Sequence, residues 1–240
     1  VEEYKLFMYR NLARHLLPIS RIPEVIRKIK WESASSTEDR PYVGQIAQQL
    51  SMLEMRLDGL RKQGCFPQKN KILIWESEIL YVMDILLEGY SSVKKCNSEG
   101  NALMTMDYQM IVSSLGRMSG LVPAPGASII EAYIKAFYVP ESEFIEWCRQ
   151  HQEYTGEMLM NLLGTCAFSG QLKRQQKSQL QSALEEVVKN RQVRRPLWQY
   201  VPITEELKRI RHKALTGQTQ SPPPRLLRIS STAYLNSPSS

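Results

Sequence analysis

The chain has 240 residues, 42% of them hydrophobic, and a formal net charge of +7, enough apolar material to close a core in one large domain or two small ones. It contains no apolar run of about 18 residues and no secretory leader pattern, so the sequence leaves only peripheral membrane contact. From Lys189 onward ten Lys or Arg stand against Glu205 and Glu206, a surplus of eight, so the first 188 residues sum to −1; a near-neutral body with a basic tail argues against a nucleic-acid face spread over the fold.

Apolar residues recur at three- and four-residue steps through most of the first 188 positions, with no run of strand alternation, which predicts an all-α fold, an elongated multi-helix bundle. Pro18 and Pro23 separate an opening helix over 2–17 from a short one ending near Trp31, and the polar stretch 32–40 reads as a mobile loop. A helix over 41–63 places Val43, Ile46, Leu50, Leu53, Leu57 and Leu60 on one stripe, and Gly64 stops it. A rod over 69–94 turns Ile72, Trp75, Ile79, Val82, Leu86, Tyr90 and Val93 inward. After a break at Asn97–Gly100, a stripe of Leu103, Met106, Met110, Leu115 and Met118 defines the next helix, and 120–126, with Pro123 and Pro125, is a loop.

Beyond it, Ile130, Tyr133, Ile134 and Phe137 share a face, and Pro140 opens a helix whose Glu141 and Glu143 suit the dipole ahead of Phe144 and Trp147. Thr155 reads as an N-cap, with Tyr154 and Leu159 as a hydrophobic staple; Met158, Leu162, Leu163 and Cys166 face inward. Leu172, Leu180, Leu184 and Val187 belong to a last helix. The domain is expected over 1–190, as one core or as sub-bundles 1–119 and 127–190. Residues 191–240 form a basic, Pro- and Ser-rich tail with a short helix at 204–214, too poor in apolar surface to order as a whole.

The motifs for chemistry are missing. His15, His151 and His212 lie in separate segments without metal-ligand spacing, so no metal and no cofactor is expected. Cys65, Cys96, Cys148 and Cys166 lie far apart and read as reduced thiols of a cytosolic protein. No phosphate loop or nucleophile elbow occurs, and the pairs Glu76, Glu78 and Glu185, Glu186 read as solvated helix faces. Of the methionines, Met104, Met106, Met110 and Met118 share one helix, where core filling is a commoner role than a partner groove. The expectation is a protein without enzymatic activity.

The run Glu-Gly-Tyr-Ser-Ser-Val-Lys-Lys-Cys-Asn-Ser-Glu-Gly-Asn-Ala-Leu-Met at 88–104, with Tyr-Ile-Lys-Ala-Phe-Tyr at 133–138 and Glu-Trp-Cys-Arg-Gln-His-Gln-Glu-Tyr-Thr at 146–155, resembles the C-terminal domain of the syndetin family. More loosely, the likeness spans Ile19 to Val188, taking in Ile-Pro-Glu-Val-Ile at 22–26, Leu-Ile-Trp-Glu at 73–76 and Leu-Met-Asn-Leu-Leu at 159–163. Such chains are several times longer, so this one is expected to be a C-terminal piece. The resemblance implies a subunit of the endosome-associated recycling protein complex, a vesicle tether whose rods assemble through N-terminal coiled regions. It implies a peripheral, cytoplasmic location on recycling endosomes and the trans-Golgi network. The partners it implies are other tether subunits, SNAREs and Rab-class GTPases, with no nucleic acid.

Within the resembling segments, Tyr90, Lys94, Lys95, Tyr133, Lys135, Tyr138 and Trp147 form the candidate partner surface, aromatics supplying contact area and lysines steering. Solvated helix ends are the plainer reading of the lysines. The tail cations Arg191, Arg194, Arg195, Lys208, Arg209, Arg211 and Lys213 form a candidate acidic-lipid or partner cluster, worth up to about 1 kcal/mol each near an anionic bilayer. The competing class is therefore a basic peripheral membrane- or RNA-binding helical protein acting through that tail.

Overall fold

The computed structural model describes residues 2–33, 40–64, 68–189 and 191; the predicted tail helix at 204–214, the rest of the expected disordered tail and most of the polar loop at 32–40 lie outside them. Every regular element among the described residues is helical. In chain order these are α1 (Glu2–Leu16), α2 (Ile22–Lys28), α3 (Tyr42–Lys62), α4 (Gln68–Ser91), α5 (Ser98–Ser119), α6 (Ala127–Lys135), α7 (Glu141–Gln150), α8 (Gly156–Thr165) and α9 (Arg174–Val188). Single 3-10 turns, Ala136–Tyr138 and Ser169–Gln171, follow α6 and α8.

Helix α4 is the spine. Its 24 residues span roughly 36 Å, and it packs against α1, α2, α5, α6 and α8. The predicted inward residues Trp75, Ile79, Val82, Leu86 and Tyr90 are buried, but so are Leu80, Ile85 and Leu87 on other faces. A helix apolar all round is one that neighbours surround. Glu76 and Glu78, read from sequence as solvated, are buried with it. One continuous core runs from Leu17 to Leu184, crossing between the stretches 1–119 and 127–190 where α4 meets α6 and α8.

Two glycines set how closely the chain can approach. A Cβ on Gly89 of α4 would lie 2.5 Å from Ile26 of α2, and one on Gly100 would lie 2.0 Å from the Trp31 carbonyl oxygen. The first collision could be relieved by a side chain; the second is with backbone and could not.

Helix ends follow local chemistry. The Asn97 side chain caps α5, accepting from the Gly100 N–H at 2.8 Å, and the Thr155 hydroxyl caps α8, accepting from Met158 N–H at 3.2 Å. Gly64 and Gly120 take positive φ of 71° and 72° at the ends of α3 and α5, the left-handed stop that glycine adopts without strain. Two predicted ends differ. α4 stops at Ser91, not near 94, because the Ser91 and Ser92 hydroxyls donate to the Glu88 and Gly89 carbonyls while the chain tightens through Val93 N–H to Tyr90. α2 stops at Lys28, and Trp31 lies in the following turn with its indole N–H donated to Ile26 at 3.1 Å.

The first half of the α5 stripe is rotated from its predicted position by about one residue, or about 100°, while Leu115 is buried as predicted. Met106 and Met110 are exposed, as is Leu60 on α3, while Met104, Tyr108, Ile111 and Leu115 are buried. The cause is Asp107, 1% exposed, which no apolar pattern would put inside. Its Oδ1 pairs with Arg40 at 3.0 Å, and its Oδ2 accepts from the Tyr42 hydroxyl at 2.7 Å. Tyr42 has one hydroxyl proton and gives it to Asp107, so in the 3.1 Å contact between Tyr42 and Tyr90 it is Tyr90 that donates. Trp31, Tyr42 and Tyr90 pack edge to face at centroid distances of 6.3–6.5 Å, so this node joins the segment after α2 to α3, α4 and α5.

Removing one member of a buried ion pair strands the other, at about 3–5 kcal/mol, whereas removing a neutral hydroxyl costs about 1–2 kcal/mol. Urea denaturation of Asp107→Ala should therefore show a loss of about 3–5 kcal/mol, with Tyr42→Phe clearly milder at roughly 1–2 kcal/mol; equal losses would mean that Asp107 is not charge-paired.

Candidate contact surface

The segment 92–97 is presented by a fixed loop. Val93 is buried and plugs the end of α4, while the Asn97 amide donates to the Glu32 carbonyl at 3.2 Å, tying this loop to the turn after α2. Lys94 and Lys95 between those anchors are exposed. Tyr138, 55% exposed, stands at the end of the 3-10 turn after α6, its ring edge-on to Phe137 and its hydroxyl 3.5 Å from the Ser98 carbonyl. Lys94, Lys95 and Tyr138 therefore stand at the two sides of the start of α5.

The other predicted surface residues divide. Tyr90 and Tyr133 are core residues: Tyr90 belongs to the Asp107 node, and the Tyr133 hydroxyl donates to the Met158 carbonyl at 3.0 Å while its ring meets Tyr154 at 5.3 Å. Aromatics amid charges look like contact residues in sequence, but each of these phenols has an internal acceptor, which makes burial inexpensive. Burial also raises both phenol pKa values. Lys135 is exposed and pairs with Glu131 at 2.6 Å, on the rim of a separate groove between α5 and α6 of about 730 Å³. Trp147 is half-buried, stacked on Tyr154 at 5.5 Å and tilted against His151 at 4.2 Å.

Arg191 is not a free tail cation. Its guanidinium donates to the carbonyls of His151 at 2.9 Å, Tyr154 at 3.2 Å and Cys148, closing the open end of α7. Arg194, Arg195, Lys208, Arg209, Arg211 and Lys213 lie outside the described residues. Sequence reasoning missed Arg27, Lys28 and Lys30, which share a cleft with Lys94 and Lys95; the basic run 27–30 was the signal that could have disclosed them.

The reactive groups point away from covalent chemistry. Burial pushes the thiols of Cys96, Cys148 and Cys166 up to about 12, the opposite of an activated nucleophile. No group of three metal-ligating side chains occurs among the described residues, and none of their helices is long and apolar enough to cross a membrane. Of the candidate surface residues, Lys94, Lys95, Lys135 and Tyr138 stand exposed on this helical frame.

The chain belongs to the syndetin family: the family model for syndetin, C-terminal, matches residues 1–185. Its relatives include syndetin of Mus musculus, 29% identical over 181 residues, and syndetins of Rattus norvegicus and Gallus gallus, each 28% identical over 181 residues. Those alignments cover 75% of this chain but 19% of each relative. No solved structure matches the chain.

Glu78 is the one buried side chain, among the described residues, whose polar atoms have no hydrogen-bond partner, and desolvation raises its pKa from 4.5 to about 8. The folded state thus keeps a proton that the unfolded chain releases above about pH 4.5. Stability from this group is full below that value and falls as pH rises toward 8, by up to about 1.4 kcal/mol per unit. Glu78→Gln should leave stability unchanged near pH 4 and exceed the wild type increasingly from pH 5 to 8 in thermal unfolding; parallel pH profiles would show that Glu78 is ionised in the fold.

Proposed function

We propose that the chain is the C-terminal recognition domain of a non-enzymatic subunit of an endosomal vesicle-tethering complex, acting in endocytic recycling to the plasma membrane. The observation that carries this reading is the match to the C-terminal syndetin model over residues 1–185, on a fold that is entirely helical among its described residues. Contacts with other subunits of the tether, with SNAREs and with Rab-class GTPases are the proposed work, on recycling endosomes and trans-Golgi membranes.

The proposed contact surface is the edge formed by Lys94, Lys95 and Tyr138, extended by Lys135 and by the exposed part of Trp147. Rigidity supports it. The loop carrying the lysines is anchored at Val93 and Asn97, so little ordering entropy opposes binding. The lysines steer and the tyrosine supplies rigid contact area.

Charge reversal tests this surface directly. Lys94→Glu combined with Lys95→Glu should leave the circular dichroism and melting temperature unchanged, lower the recovery of SNAREs in a lipid-free pull-down by roughly five- to tenfold, and slow the return of an internalised receptor. Unchanged recovery by a folded variant would remove this edge from the contact surface.

A further inference from the structure

Opposite Lys94 and Lys95 stands a second basic segment. The last turn of α2 and the residues after it place Arg27, Lys28 and Lys30 on the far wall of a cleft of about 560 Å³ that the two lysines complete. Its base is immobile: Trp31 is 1% exposed with its indole N–H bonded to Ile26, Val93 is buried, and the Asn97 amide joins the two walls through the Glu32 carbonyl. The walls belong to segments 65 positions apart in sequence, so their charges converge only in the fold.

All five cations are exposed, and Glu32 is the single carboxylate among the lining residues. No ion pair among the described residues engages any of the five. Lysines often gather at helix C-termini to offset the dipole, and α2 and α4 both end here, but two such ends amount to about one negative charge. Together with Glu32 they leave about three positive charges uncompensated across one cleft. Convergent like charges repel one another, and a bound anion relieves that repulsion.

We infer that this cleft binds a compact polyphosphorylated group, the chemistry shared by inositol phospholipid headgroups and their soluble counterparts. The volume falls in the range of small-ligand sites, roughly 300–1,000 Å³. Four of the five cations are lysines, whose ammonium groups act as point charges toward phosphate oxygens, and Arg27 adds a guanidinium fork that suits phosphate as well. A peptide is disfavoured because the apolar lining beyond buried Trp31 is only half-buried Ile29 and buried Val93, which offer no side-chain pocket. The inference shares Lys94 and Lys95 with the proposed contact surface but requires no tether partner, so its test uses the purified full chain alone.

Binding is measured to phosphatidylcholine vesicles carrying phosphatidylinositol 4,5-bisphosphate, to vesicles of equal charge carrying phosphatidylserine, and to soluble inositol 1,4,5-trisphosphate. The wild type should prefer the bisphosphate vesicles over the charge-matched ones by about tenfold. The triple variant Arg27→Ala, Lys28→Ala, Lys30→Ala should lose that preference and bind the two vesicle types alike, with an unchanged melting temperature. A tail variant, Lys208→Ala with Arg209→Ala, should keep it. Preference for vesicles over the trisphosphate assigns the lipid as the source, and equal affinity assigns the free ligand; both support the cleft. Equal binding to both vesicle types, loss of the preference in the tail variant alone, or stronger competition by a doubly phosphorylated peptide would overturn it.

Discussion

The carboxylate of Asp107, held between Arg40 and Tyr42, is the constraint from which the rest of the bundle takes its arrangement. A buried ion pair contributes little net stability, because desolvating two charges nearly cancels their attraction. Its effect is on specificity. Both Asp107 oxygens are committed, one to Arg40 and one to Tyr42, and Tyr90 completes the chain. Burial pushes the Asp107 carboxyl upward while the Tyr42 hydrogen bond and Arg40 pull it back. A slip of α5 by one residue would replace that satisfied network with an unpaired buried charge, so α3, α4 and α5 are held in a single register.

The consequence reaches the surface. Trp31 and Tyr90 pack on Tyr42 in this node; Lys30 and Glu32 flank the first in sequence, and Lys94 and Lys95 follow the second. Positions of these exposed charges are therefore determined by a buried triad of aromatic rings. A second aromatic cluster, Trp147, His151 and Tyr154, is closed by Arg191, a polar group stabilised by carbonyls that a helix end would otherwise leave unpaired. α3 and α4 are also clamped from outside, Lys71 bridging Glu54 at 2.7 Å and Asp58 at 2.8 Å while Trp75 donates to Glu54.

Helical periodicity disclosed most of the architecture, because an apolar stripe, a capping side chain and a stop glycine act locally. The caps at Thr155 and Gly64, the break at 97–100 and the loop after α5 needed no tertiary information. Long-range compensation was hidden. Met106 stood on the expected core stripe and Asp107 did not, since only the arrival of Arg40 from a loop 67 positions away in sequence stabilises an aspartate inside. Glu76 and Glu78 misled for the opposite reason: neighbours cover most of the circumference of α4, so these two carboxylates are buried while Glu88 stays exposed. Of the candidate surface, Lys94, Lys95, Lys135 and Tyr138 are exposed and Trp147 partly so, whereas Tyr90 and Tyr133 went inward to acceptors that no spacing reveals. Arg27, Lys28 and Lys30 form a basic run legible in the sequence, but their convergence with Lys94 and Lys95 was not, because charges from distant segments cannot be summed along the chain.

If the Asp107 node fixes the register of the bundle, the helices meeting there unfold as one unit. Native-state hydrogen exchange measures this most directly. The account predicts that the slowest amides of α3, α4 and α5 share one opening free energy, equal to that of global unfolding. Opening of α5 at a distinctly lower free energy, with α4 still protected, would contradict it.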